Sequence, residues 1–321
     1  MPKVLCSVAT RGRYFTTLPL VLQAIINQTQ LPDKLVIFDD NNEPNDMRKE
    51  MIYQYFFQML NIKGVKWEWL YAEKKGQHHI HQQANRMGFD WVWRVDDDAI
   101  PESNVLEQLC SHIDTTVGAI GGSVLTMPNV FDISKSTGKI KDIDSEPNIQ
   151  WSNINVTNEV EHLHCSFLYR AGIHDYNLGL SRVAHREETL FTYGIYQKKY
   201  KVLVVPNAIT WHLKAKGGIR SETKQEMYAH DEQIFRNIVG LSNKTIVVLN
   251  SGLGDHIVFS RILSDIPNPV VFTCYPEIVP GRSIAEAQAL FGNIDQYNIY
   301  GKMDQWKWKD SLENAYRKLY L

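Results

Sequence analysis

The sequence is short of several things, and each shortage excludes something. Its four cysteines (Cys6, Cys110, Cys165, Cys274) are scattered and form no CxxC pair. That argues against a zinc ribbon or a disulfide framework and reads as reduced thiols in a cytoplasmic protein. No apolar run approaches the ~20 residues that a membrane-spanning helix needs. The opening MPKVLCSVATRGR is too short an apolar run for a leader or an anchor. There is no large excess of either charge: the formal net charge is −2, so the chain as a whole is no polyanion binder. No solenoid repeat and no low-complexity segment is visible. What is there is 321 residues, 44% hydrophobic and 22% charged. That is the profile of a globular chain with material for one large domain or two.

Along the chain, short apolar runs alternate with helical periodicity. KVLCSVAT, KLVIFDDNN, VKWEWLYA and DWVWRVDDD read as strands. TTLPLVLQAIINQT reads as a helix capped by Thr16 or Thr17, with Pro19 in its first turn. NDMRKEMIYQYFFQML (45–60) and IHQQANRMGF read as two more helices. This alternation predicts an α/β domain with a mostly parallel sheet flanked by helices. Further on, VGAIGGSVLTM and LHCSFLYRAG read as strands, and STGKIKDIDSEPNIQW as a hairpin or flap. REETLFTYGIYQKKY reads as a helix with acids at its start and bases at its end, and KVLVVPNAITWHLK as a strand or strand pair. The polar stretch 214–224 reads as a mobile basic loop. The pattern restarts after residue 240, with strands KTIVVLN, NPVVFTCYP and DQYNIYG and three helices between and after them, the last two SIAEAQALFG and WKDSLENAYRKLYL. The expected division is therefore 1–240 and a small α/β, half-Rossmann-like module at 241–321, too small for an independent core.

RVDDDAIPE (94–102) places three carboxylates together where a strand should end. Like charges repel, so such a group implies a solvated turn or a cation. Open parallel sheets bind ligands beyond the carboxyl ends of their strands. Thr10, Asp40 and Asp96, Asp97 and Asp98 all fall at such ends and are predicted to share one rim, which favours the cation. Oxygen ligands suit magnesium or manganese more than zinc. With so few carboxylates, the metal would complete its shell with substrate phosphates, implying a nucleoside-diphosphate substrate.

In order and rough spacing, ATRGR, IFDDNN, VDDDAIPE, REETLF and TWH resemble the family-2 glycosyltransferases of the GT-A fold, over about residues 3–215. The resemblance implies that Asp40 and Thr10 bind the nucleotide. It implies that Asp98 coordinates Mn2+ or Mg2+, that Asp96 and Asp97 approach ribose or metal, and that His212 completes the metal shell. It implies that Glu188 is the catalytic base. The family pair is Glu-Asp where this chain has Glu187-Glu188, so either glutamate could carry the role. A carboxylate opposite the leaving group would take the acceptor's proton and invert the anomeric centre. The donor would be UDP-linked, an identity that rests on the family alone. From charge and position, Arg220 or Lys216 would fold over the diphosphate, and Trp151 would serve as an acceptor platform.

Other features invite structural readings. His78, His79 and His81 lack acidic or cysteine neighbours and read as a polar loop entering a helix. Trp67, Trp69, Trp91 and Trp93 alternate as strand core does. NSGLGDHIVF, with Gly252 and Gly254, resembles the opening of the N-terminal domain of GT-B enzymes of the heptosyltransferase type. That resemblance implies an accessory role in acceptor docking or assembly. The competing readings are a catalytically inactive protein that binds sugar nucleotide or glycan, and a nucleotidyltransferase. ATRGRYF lacks the glycine- and lysine-rich loop of the latter. The acceptor could be a glycan or another hydroxyl compound. A nucleic acid would need a basic groove, and 214–224 is the only obvious basic run.

Overall fold

The first strand, β1 (Val4–Thr10), is buried along almost its whole length because VLCSVAT carries no charge. In the computed structural model described here it pairs in parallel with β2 (Lys34–Asp39) on one side and β4 (Trp91–Asp96) on the other. The structure describes residues 2–126, 136–144, 146–151, 155–219, 224–241, 245–249, 258, 269–273 and 297–299. The chain divides into two compact units, Met1–Ile238 and Val239–Leu321.

In the first unit, β3 (Lys66–Tyr71) extends the parallel sheet beyond β2. The sheet order is β3-β2-β1-β4-β8-β6-β9-β5, where β5 is Ala99–Pro101, β6 Val117–Leu125, β8 Phe167–Arg170 and β9 Lys201–His212. A further strand, β7 (Asn158–Val160), pairs with β9. Strand β8 runs antiparallel between β4 and β6, and the bridge from parallel to mixed pairing lies beside the end of β4. The helices α1 (Leu18–Ile26), α2 (Met51–Ile62), α3 (Gln77–Asn85), α4 (Val105–Cys110) and α5 (Glu187–Gln197) bury their apolar faces in two core clusters. This is the helix-flanked α/β architecture expected, with a mixed sheet: β3-β2-β1-β4 and β6-β9 are parallel, and the other four strand pairs are antiparallel. Trp69, Trp91 and Trp93 lie in the core, as their alternation implied.

Several local expectations are corrected. Thr17 is the residue before α1, but its hydroxyl makes no cap bond; Pro19 in the first turn starts the helix. The segment 45–60 is not one helix: a 3-10 turn at Met47–Lys49, capped by Asp46, precedes α2. The flap at 136–151 is no hairpin among the described residues but two 3-10 turns, Ile140–Asp142 and Ile149–Trp151. Lys198 and Lys199 fall just past α5 rather than in its last turn. The helix read from Ile80 starts earlier, at Gln77, so His78 lies inside α3 rather than in a loop before it, and both His78 and His81 are buried.

The pairing of β6 with β9 carries a register shift between Gly122 and Ser123, and Gly122 is what permits it. A Cβ there would stand 1.8 Å from the Ala208 carbonyl oxygen, which is backbone and cannot swing away. Gly122→Ala is therefore expected to destabilise the unit by about 3 kcal/mol, the upper part of the overpacking range. Urea denaturation would measure it, and an unchanged midpoint would contradict the packing described.

The second unit contains a parallel three-stranded sheet, β10 (Thr245–Leu249), β11 (Pro269–Thr273) and β12 (Tyr297–Ile299). These are the three strands read from the sequence. The glycine turn at 252–254, Arg220 and, apart from Val258, the three helices read after residue 240 lie outside the described residues.

Candidate active site

The site is built at the carboxyl ends of β1, β2 and β4. Register pairs Thr10 with Asp39 and Ala9 with Asp96, so the three strands end level. Thr10, Asp40, Asp96, Asp97, Asp98, Trp151, Glu188, His212 and Lys216 all line one cleft of about 600 Å³. That volume falls within the usual range for small-molecule sites.

The three aspartates have separate tasks. Asp97 is committed to the protein itself. Its carboxylate accepts from the Thr10 hydroxyl at 2.8 Å and the Arg11 amide at 3.2 Å, and it pairs with Arg13. Burial pushes its carboxyl up to about 6, with Arg13 opposing and Asp98 adding to the rise. Thr10 is accordingly a donor to Asp97, and the two together fix the end of β1. Asp98 lies where β5 meets the end of β9. Its Oδ1 is 3.4 Å from His212 Nε2, and its Oδ2 accepts from the Ala215 amide at 3.0 Å and faces Arg13 Nη2 at 3.2 Å. Burial works against its ionisation, but His212 and Arg13 outweigh it and hold Asp98 below the usual carboxylate range. Asp96 keeps some exposure and faces Arg94 at 3.3 Å.

No cluster of three metal-ligating side chains converges among the described residues. The pair Asp98 and His212 comes nearest, with Asp96 on the same wall. A carboxylate, an imidazole whose Nδ1 is buried without a partner, and open space for phosphate oxygens fit a hard divalent ion. Arg13, which sequence reading passed over, places a guanidinium between Asp97 and Asp98 and so holds positive charge at the same rim.

Asp40 has one buried carboxylate oxygen without a partner, while the other is 3.9 Å from Arg11. An orphaned acceptor at the cleft wall suits a ligand N–H. The loop from Lys214 to Ile219 also lines the cleft, and its Ala215 is tied to Asp98 and Arg13. Gly217 and Gly218 have φ of +107° and +73°, which glycine adopts without strain. Lys214 Nζ stands 4.7 Å over the Trp151 ring.

The two glutamates open α5 and point to different places. Ala184 and Arg186 before them are left-handed, at φ +52° and +64°. Non-glycine residues hold that conformation only when their surroundings insist on it. The surroundings here belong to α6 (Gln225–Val239). Asp231 accepts from the Ser181 amide at 2.6 Å and the His185 amide at 2.8 Å, and Glu232 meets Arg186 at 3.4 Å. The turn sends Glu187 into the core, where it is 1% exposed. There it meets Arg94 Nη1 at 2.5 Å and accepts from Gln77 at 3.0 Å. Burial pushes Glu187 up to about 8, with the Arg94 charge opposing. Glu188 is turned into the cleft instead, 3.8 Å from His164 Nδ1. Burial alone would raise it, but nearby His164 and the Arg94 charge outweigh that and keep Glu188 well below the ordinary glutamate value. The geometry thus separates a buried structural acid from an ionised one facing the cleft. Arg94 and His164 were not found in the sequence. The available signal for Arg94 was a charge in the middle of an apolar strand.

No family model matches the chain. A curated relative, galactofuranosyltransferase GlfT1 of Mycolicibacterium smegmatis, is 30% identical over 118 residues, 34% of this chain and 36% of the relative. The chain thus spans about a third of that protein. The fold is similar to that of GalNAc-T7 in a crystal structure with UDP, GalNAc and Mn2+. The TM-score is 0.54 at 13% identity, over 99% of this chain and 58% of that one. The GT-A-like fold expected from the motifs is the one observed.

Proposed function

We propose that the chain is a glycosyltransferase. It would move a sugar from a nucleoside-diphosphate donor, UDP-linked, to an acceptor hydroxyl, with inversion and with help from Mn2+ or Mg2+. One observation carries the reading: a single cleft holds an orphaned carboxylate oxygen on Asp40, the Asp98–His212 pair and the ionised Glu188. Asp40 would accept from the base, with Arg11 bracing it. Asp98 and His212, with Asp96 beside them, would hold the metal, whose charge would offset that of the departing diphosphate. Arg13 and Lys216 add fixed positive charge at the same end. Glu188 would take the acceptor hydroxyl's proton as the oxygen attacks the anomeric carbon. The likeness to GalNAc-T7 and to the galactofuranosyltransferase supports the class, and the unit 239–321 would serve acceptor docking or assembly.

The test is a screen of nucleotide sugars for nucleoside-diphosphate release with and without manganese. Release is expected with the metal, and it should fall at least about 100-fold with EDTA or in Asp98→Ala, given what a metal-held leaving group contributes. No release from any UDP- or GDP-sugar would favour a protein that only binds sugar nucleotide or glycan. Release indifferent to EDTA would assign the diphosphate charge to Arg13 and Lys216 instead.

A further inference from the structure

A smaller cavity of about 220 Å³ adjoins the cleft, and Trp151 and His164 form walls of both. Its other walls include Lys139, Glu146, Asn148, His162 and Arg186. Every formal charge among them already has a partner. Lys139 faces Glu161 at 3.5 Å, Arg186 faces Asp144 at 3.3 Å, and Glu146 accepts from the Thr137 amide at 2.7 Å. The unsatisfied polar atoms are neutral. Asn148 Nδ2, Trp151 Nε1 and His162 Nδ1 are all buried without a hydrogen-bond partner. Three such atoms in one wall set are costly unless something bonds to them. The Asn148 side chain is held in place from its other end, where Oδ1 accepts from the Gln150 amide at 2.9 Å. The aromatic rings also converge: Trp151 lies 6.2 Å from His164, and His164 5.3 Å from His162.

We infer that this side cavity is the acceptor subsite and that it takes one uncharged sugar ring. A phosphate would need free cations, and the wall cations are engaged. A hydroxylated ring offers oxygens that both donate and accept, which suits an amide, an indole N–H and an imidazole together. Its flat C–H face suits Trp151. The volume lies below the usual range for drug-sized ligands, so it admits one ring rather than several. Trp151 and His164 are shared with the main cleft, and Glu188 of that cleft lies 3.8 Å from His164 Nδ1, so a ring seated here borders the residues that flank the proposed base.

The inference rests on the glycosyl-transfer reading for the word acceptor, but glycoside binding needs no donor, so the two can fail separately. The experiment is saturation-transfer NMR on the full chain with a panel of methyl glycosides, with inorganic phosphate as competitor. A methyl glycoside is expected to bind. Trp151→Phe combined with Asn148→Asp, which removes two donors while keeping an aromatic face and the Asn148 Oδ1 contact, should weaken it at least about tenfold. Ile143→Trp fills the same space from another wall and should also abolish binding, so it carries the test if the double variant fails to fold. Phosphate should not compete. Absence of glycoside binding, binding indifferent to these variants, or displacement by phosphate would each overturn the inference. Glycoside binding without any nucleotide-sugar turnover would sink the transferase reading and leave a glycan site.

Discussion

Glu188→Gln is expected to lower sugar transfer about 10²–10⁴-fold, the usual contribution of a positioned general base, while nucleotide binding persists. The amide keeps the shape of the side chain but cannot take a proton. Glu188 is partly exposed to the cleft and engaged with His164 rather than with the core, so the substitution should fold. The pH profile separates the two glutamates. A base works ionised, and the Glu188 carboxylate is held well below its ordinary value, so the rate should persist as pH falls and be lost only below that value. Were Glu187 the base, its carboxyl near 8 would place the acid limb there instead. His164→Ala removes one of the influences lowering Glu188 and should move the acid limb upward. Isothermal titration with UDP and steady-state rates between pH 4 and 9 (a window set by the ordinary glutamate value near 4.3) would check this. A Glu188→Gln variant as fast as the native chain would remove Glu188 from the role.

Much of this site was legible because it follows from short local runs. VLCSVAT and KLVIFD announce buried parallel strands, and parallel strands of equal register put their terminal residues on one rim. Thr10, Asp40 and Asp96 to Asp98 could thus be set on one rim from the sequence, whereas His212 came only from the family resemblance. What could not be read was division of labour. Asp97 and Asp98 are adjacent and chemically identical. Only the approach of Thr10 and Arg13 commits one to the scaffold, while the meeting of β5 with β9 gives His212 to the other. Glu187 and Glu188 were equally ambiguous, because their separation depends on two left-handed residues held by α6, whose acids lie some forty residues further on. The side cavity depends on 3-10 turns in a stretch whose alternation imitates a hairpin. Such turns leave little periodicity to find.

The second large effect concerns a residue that does not itself line the cleft. Arg94→Met is expected to destabilise the first unit by about 3–5 kcal/mol, the range for breaking one partner from a buried ion pair. Arg94 lies in the middle of β4 with no exposed surface. It meets Glu187 at 2.5 Å and Asp96 at 3.3 Å, and its guanidinium stands 5.5 Å over the Phe167 ring. Without it Glu187, which burial already pushes up to about 8, would have to take a proton and remain in the core without its strongest partner. For a unit of this size the loss corresponds to a melting temperature lower by roughly 10 °C. Glu187→Gln strands the guanidinium in turn, although Asp96 still offsets part of its charge, so the loss should be smaller. The double variant Arg94→Met with Glu187→Leu should recover most of the stability, since apolar replacement of a buried pair is often neutral or better. Activity should not recover with it. Arg94 spans from β4, which ends in Asp96, to the first turn of α5, which carries the proposed base Glu188, and its charge also helps lower the Glu188 carboxyl. A double variant that melts like the native chain yet transfers sugar slowly is the expected result. If it were as active as it is stable, Arg94 would be a packing residue alone.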